Sequence, residues 1–373
     1  MMKRTTCLLS TVVALLVCAP SLAAEADGIP RTGSGRPDLT GNYDAATLTP
    51  LERPPALGDR AYLTPEEARA IAEVEREIQE GALEPSDAER EAPPEGGAKV
   101  VGLEHTATGG NEFGAGNVGA YNLFWIDRGS DTYTIDGKVP TSIIVDPPNG
   151  RMPAMRPAAM RKMMAAFASF LRPNDGTAWW VKEGDGPGPY DGPESLPTNE
   201  RCLLGFTGAA PTLPSLYNNF KRIVQTDTHV VILLEMIHDA RIVRLNSDGR
   251  PARHPGPEVK KWLGDSIGWW EGDTLVVDTT NFRSDAGMRG GSENTHVVER
   301  FTMQPDGNVL YRFTVEDDTV WTAPYTGEYL WRASDQRVYE YACHEGNYSM
   351  GGVLRGARLL ESEAVSGSGA AAN

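Results

Sequence analysis

The chain has 373 residues, 40% of them apolar and 23% charged, with a mean hydropathy of −0.37. That is enough apolar material for one large or two modest domains and excludes wholesale disorder. Lys and Arg number 35 against 51 Asp and Glu, and a net charge of −16 repels phosphate backbones, which argues against a nucleic-acid partner.

Lys3 and Arg4 precede a mostly apolar run from Cys7 to Val17, and Ser21-Leu22-Ala23 supplies a small-x-small cleavage site. Residues 1–23 therefore read as a secretory signal, too short to anchor stably across a bilayer. Val17 is bulky where a lipoprotein site before Cys18 needs a small residue. No later segment is a continuous apolar run of membrane-spanning length. The expectation is an exported protein, periplasmic or secreted, with no membrane insertion after cleavage.

Residues 24–117 read as a loop-rich segment with one helix and a first strand at Gly41-Asn42-Tyr43. The helix begins with Thr64 as N-cap, Pro65 at the first position and Glu67 at the third. It continues through Ala68, Ile71, Ala72, Val74 and Ile78 to Gly81. Residues 84–117 are acidic, then Gly-rich, and read as irregular. A second helix is expected over 156–171, with Met160, Met163, Met164, Phe167 and Phe170 at helical spacing, a stripe that reads as core packing.

From Tyr217 the text becomes β-like, with 40 glycines and 27 prolines in the chain to make turns. Strands are expected at Lys221–Thr226, Val230–Met236, Ala240–Leu245, Thr274–Thr280, Thr295–Met303, Val309–Glu316, Thr322–Trp331 and Arg337–Cys343. Short Asp- and Gly-bearing turns separate them, such as Ser247-Asp248-Gly249, Glu271-Gly272-Asp273 and Pro305-Asp306-Gly307. Tyr121–Asp127 and Ser142–Val145 can add strands. Consecutive hairpin strands need their edges closed, so the expected fold is mainly β. It is an antiparallel up-and-down, lipocalin-like barrel over 118–365 with a few peripheral helices, followed by a disordered tail at 366–373.

Cys202 and Cys343 remain after signal removal. Export and an even count permit one disulfide; two separate buried thiols are the alternative. No P-loop, GxGxxG turn, HExxH, EF-hand or Gly-x-Ser-x-Gly elbow is present. Strand-borne metal ligands usually cluster as His-x-His, which is absent, and no cofactor or metal is implied.

The chemistry-bearing residues left are histidines near acids and arginines. Period-2 geometry sets His296, Val298 and Arg300 on one strand face, and Glu340, Ala342 and His344 on another. An imidazole oriented by a carboxylate inside a closed barrel can move protons near neutral pH, and an arginine can hold an anion. If its face is interior, His296 is desolvated beside Arg300, so its pKa falls and it serves as a base. The competing reading is that such a polar face is solvated. His105, His229 and His254 read as surface residues. Five tryptophans between Trp262 and Trp331 either fill the core or line a pocket for a sugar face or aromatic substrate.

The runs Ile143–Arg151, Glu200–Leu203, His238–Arg241, Trp262–Ser266, Trp270–Val277 and Tyr341–Tyr348 are similar to a large family of proteins exported by Gram-negative bacteria, over about residues 118 to 360. Tyr43 departs from that pattern, in which a tryptophan is usual, and Ile267-Gly268-Trp269 varies its middle. The resemblance implies export and supplies no catalytic residues.

The sequence thus leads to an exported, cofactor-independent enzyme of the lyase, hydratase or isomerase type, acting on a small organic or sugar-derived substrate. His238 and His296 are the candidate base and acid, with His344 and Glu340 an orienting or alternative pair. Arg241, Arg300, Trp269, Trp331 and Tyr341 are the candidate binding residues. The rival is a non-catalytic periplasmic protein that only binds a small ligand.

Overall fold

Apolar–polar alternation becomes a set of strands whose buried members turn to a common interior. In the computed structural model, which describes residues 28–82, 89, 126–171, 176–184, 188–205, 208–246, 252–284 and 291–370, four short strands come first. They are β1 (Gly41–Asp44), β2 (Tyr62–Leu63), β3 (Val139–Pro140) and β4 (Ile144–Asp146). Eight longer ones follow: β5 (Phe220–Gln225), β6 (His229–Leu234), β7 (Ala240–Leu245), β8 (Asp265–Glu271), β9 (Thr274–Thr280), β10 (His296–Met303), β11 (Val309–Glu316) and β12 (Tyr325–Ser334). The signal at 1–23, most of the 84–117 segment, residues 121–125, the turn at 247–249 and residues 371–373 lie outside the described residues.

The strands close into a nine-stranded barrel in the order β1-β5-β6-β7-β8-β9-β10-β11-β12, with β1 pairing both β5 and β12. β4 lies along the first half of β12, beside Thr326 and Gly327, while β1 takes its last three residues. One pair, β7 beside β8, is parallel, so the barrel is mixed and departs from the antiparallel up-and-down order expected. The cause is β8, which the sequence pattern hid. Its interior position Gly268 carries no side chain because an added Cβ would sit 2.8 Å from Val243 Cγ1. The expected strand at Arg337–Cys343 is irregular instead. With β11 on one edge of β12 and β1 and β4 on the other, no free edge remains for it.

Inside the barrel lie Tyr43, Ile223, Ile232, Val243, Leu275, Val277, Phe301, Tyr311, Phe313, Tyr329 and Trp331, each 2% exposed or less. The ring centroids of Tyr311 and Trp331 are 4.9 Å apart, and those of Tyr311 and Tyr329 5.4 Å. Gly327 is required opposite Phe313, whose ring would come within 2.2 Å of a Cβ there. Segment 209–213 is buried against these rings. Its Thr212 N–H donates to the Tyr311 hydroxyl (2.9 Å), and the Tyr329 hydroxyl donates to the Thr212 carbonyl (2.8 Å).

Among the described residues, four α-helices flank the barrel: α1 (Pro65–Ala82), α2 (Pro157–Leu171), α3 (Trp179–Glu183) and α4 (Tyr348–Ala370). α1 starts on the expected capping box, the Thr64 N–H donating to Glu67 Oε2 (2.9 Å) and the Glu67 N–H to Thr64 Oγ1 (3.2 Å). In α2 the expected core-packing stripe fails at Met160 and Met164, which are exposed. α4 packs Ala357 near Ala178 and Trp180 of the α3 region, and Trp180 Nε1 donates to Glu361 (2.7 Å).

Cys202 and Cys343 form a disulfide with Cα atoms 5.8 Å apart, joining the segment before β5 to the one after β12. Thiol labelling of the denatured, non-reduced chain lacking residues 1–23 should find no free cysteine. Reduction should lower stability by about 2–5 kcal/mol, the usual range for a native bridge across a long loop. Two reactive thiols per chain would contradict the bridge.

Candidate functional site

The interior polar groups come from strand positions that share parity with apolar neighbours. Arg241 on β7 and Glu299 on β10 are 1% and 0% exposed, and pair through two hydrogen bonds of 2.5 and 2.8 Å. The Tyr311 hydroxyl, pushed well up by burial and the Glu299 charge, donates to Glu299 Oε1 at 2.6 Å. Arg241 is therefore a buried structural cation, not an arm for a substrate anion.

Lys221 on β5 is fully buried, and its Nζ has no hydrogen-bond partner among the described residues. Burial lowers its pKa to about 8, partly offset by the charges of Glu235 and Asp44, and burial pushes both those carboxyls up. Beyond Glu235 the chain makes a strained turn. Ile237 (φ 58°, ψ 12°) and His238 (φ 48°) occupy the left-handed region, which a β-branched side chain disfavours. His238 is exposed at this turn, its Nδ1 3.2 Å from the Tyr341 carbonyl oxygen. Glu340 and His344 are exposed on irregular chain and share no strand face, while Tyr341 is half-buried.

The outer face of β8–β11 carries the densest meeting of imidazole and carboxylate. His296 and Glu316 are directly opposite in register, and Asp278 stands opposite both Ile267 and Val298. His296 Nε2 lies 2.8 Å from Asp278 Oδ2, and Nδ1 lies 3.3 Å from Glu316 Oε2. The segment after β7 brings His254 onto the same face, Nε2 2.8 Å from Asp278 Oδ1 and Nδ1 2.9 Å from Asp265 Oδ1. Arg244 and Lys261 also donate to Asp265, at 2.7 and 2.5 Å. Burial alone raises Asp265, but its hydrogen bonds from Arg244, Lys261 and His254 outweigh this and bring it to about 2. Burial opposes ionisation of Asp278 in the same way and is outweighed by the two histidines, so its pKa is lowered.

These positions correct the reading of His296. The face it shares with Arg300 points outward, so the base of lowered pKa expected for an interior face does not form. The hydrogen bond to Asp278 instead raises His296 to about 9 against a smaller effect of burial, leaving it protonated at neutral pH. Arg300 is spent on Glu271 (2.8 Å), which also accepts from Trp269 Nε1 (2.9 Å). Trp331 is a core residue, fully buried. His254, read as a surface residue, is part of the network. The histidines therefore divide: His238 and His344 sit on exposed chain near the disulfide, and His296 joins His254 elsewhere.

A cavity lined by Ala210, Leu213, Phe282, Val315, Trp321 and Tyr325 has about 20 Å³ for the centre of a solvent molecule, room for roughly one water. Among the described residues, no three or more His, Cys, Asp or Glu are arranged to hold a metal ion, and no helix is long and apolar enough to cross a membrane. Comparison of the chain with protein-family models, curated proteins and solved structures finds no match.

The overlooked groups had signals. Glu299 falls between Val297 and Phe301, and Lys221 shares parity with Ile223, so each was a charge on an apolar face. Because Lys221 has a native pKa near 8 and an ordinary one of 10.5, the unfolded chain binds more protons between them. Stability should thus rise as pH goes from about 8 to 10.5. Lys221→Met should abolish that rise and add about 1–3 kcal/mol at neutral pH, one pK unit being worth about 1.4 kcal/mol. Urea unfolding at several pH values checks this, and an unchanged slope or a less stable variant would contradict it.

Proposed function

We propose that the protein is an exported acid–base enzyme of the lyase, hydratase or isomerase type acting on a small organic or sugar-derived substrate, with His296 as proton donor. The reading rests on one observation: Asp278 accepts a hydrogen bond from each of two imidazoles on an open face, and one of these is held protonated up to about pH 9. The signal-like residues 1–23 support export, to the periplasm or beyond the cell.

His296 is 36% exposed, and its Nδ1 contact to Glu316 is the longest in the network, to a side chain 55% exposed. A substrate oxygen that replaces Glu316 there receives the proton. Asp278 keeps the ring oriented and stabilises its charge, while His254 and Asp265 fix the second carboxylate oxygen. Once Nδ1 has given up its proton, the neutral ring can take the proton from the adjacent substrate carbon at that same nitrogen, which leaves the enol and restores the imidazolium, the exchange that an isomerisation or elimination needs. The rival, a protein that binds a small ligand without turning it over, is favoured by the hydrogen bonds already present at every nitrogen of both rings.

Deuterium incorporation at substrate carbon, followed by NMR in D₂O across a panel of hydroxy acids and sugar acids, separates the two. The enzyme reading expects exchange that falls as pH rises through about 9, because His296 then loses its proton. Asp278→Asn and His296→Ala should each slow exchange by roughly 10²-fold or more with circular dichroism unchanged, the scale of a lost general acid. Exchange at the wild-type rate in both variants would overturn the assignment. Saturable binding with no exchange in the wild type would establish the binder instead.

A further inference from the structure

Two features that oppose folding meet where β6 turns into β7. Lys221 shares its parity on β5 with buried Ile223, and its Nζ has no hydrogen-bond partner among the described residues. Leu234 stands opposite it in register, and the chain leaves β6 at the next residue. There Ile237 and His238 take left-handed backbone conformations in succession, although Ile237 is β-branched and buried. Glu235 and Asp44 act on Lys221 through their charges without hydrogen-bonding to it. Glu235 accepts instead from the Phe220 N–H (3.3 Å). The far side of the turn is fastened to irregular chain: the Gly205 N–H donates to Asp239 Oδ2 (2.9 Å), and His238 Nδ1 lies 3.2 Å from the Tyr341 carbonyl oxygen. An unpaired buried amine and two consecutive left-handed residues weaken the fold, and such features persist where a site uses them.

We infer that the turn 235–239 is a gate over a nucleophilic amine, and that Lys221 forms an imine with small uncharged aldehydes when the gate opens. The Nζ lone pair adds to the carbonyl carbon, and the carbonyl π pair moves to oxygen. Transfer of a proton from nitrogen to that oxygen gives the carbinolamine. Loss of its hydroxyl together with a proton, as water, leaves the C=N bond, so amine and aldehyde give imine and water. Glu235, whose charge reaches Lys221, relays those protons. Burial supplies the nucleophile: with a pKa of about 8, about half of Lys221 is neutral at pH 8, against under about 1% of an ordinary lysine. The substrate class follows from the surroundings. Two carboxyls beside the amine disfavour an anionic carbonyl compound, and Ile223 and Leu234 suit a short alkyl group. The site is independent of the acid–base face on β8–β11.

The test is reductive trapping. The full chain is incubated at pH 8 with propanal and sodium cyanoborohydride, which reduces an imine to a stable secondary amine, and the alkylated lysines are mapped by mass spectrometry. Lys221 is expected to react roughly tenfold or more faster than the exposed Lys138 and Lys182, on the scale of its larger neutral fraction. Its rate should rise with pH to a midpoint near 8. Urea below the unfolding transition should leave that rate unchanged, because a local opening exposes little surface, whereas global unfolding would make it climb steeply. Glyoxylate in place of propanal should label Lys221 roughly tenfold more slowly relative to Lys138. Labelling of Lys221 no faster than of Lys138 and Lys182 would overturn the inference, as would a rate that climbs with urea. Equal labelling of Lys221 by glyoxylate and propanal would overturn the substrate class.

Discussion

The ion pair between Arg241 and Glu299 spans the barrel interior, and the arrangement of the interior follows from it. Two charges removed from water persist only where each is matched, and here two guanidinium hydrogen bonds and the Tyr311 hydroxyl serve the carboxylate. Breaking such a pair on one side generally costs about 3–5 kcal/mol, because the other charge stays buried. Tyr311 passes the constraint to Thr212, and Tyr329 holds the same residue from its other side, so segment 209–213 is fixed against the barrel core. The aromatic cluster around Tyr311 then fills the remaining volume.

A filled interior moves chemistry outward. The binding pocket anticipated from the tryptophans would have needed Trp331 to line open space, whereas it is packed between Phe301, Tyr311 and Tyr43. On the outer face the pleat sets alternate residues of β9 and β10 towards solvent, and there Asp278 and His296 meet. The solvent-facing position lets His296 keep its proton, because burial opposes the charge less than Asp278 supports it. Lys221 shows the opposite balance: full burial with no hydrogen-bond partner outweighs the pull of Glu235 and Asp44.

Much of the barrel was legible because alternation and turn residues act locally. Ala240–Leu245, Thr274–Thr280 and Val309–Glu316 form strands with the expected bounds, and the Thr64–Glu67 capping box starts α1 as its spacing predicts. β8 was not legible, since Gly268 sits where the pattern requires an apolar side chain, and its parallel neighbour is a long-range choice. Arg337–Cys343 alternates like a strand, yet has no free edge to join. For the site, the shared face of His296 and Arg300 was readable, but its direction was not, because inside and outside of a barrel are set by closure. The partnership of His254 with Asp265 and Asp278 depends on how the segment after β7 folds back, which no local pattern records.

The outward carboxylate Asp278 holds His296 protonated through the 2.8 Å hydrogen bond between them. The most direct test is the pH titration of the His296 imidazole carbon-bound protons by NMR, in the wild type and in Asp278→Asn. A wild-type midpoint near 9 is expected, falling towards the ordinary value of 6.5 when Asp278 loses its charge. A wild-type midpoint at or below 6.5, or one that Asp278→Asn leaves in place, would contradict it.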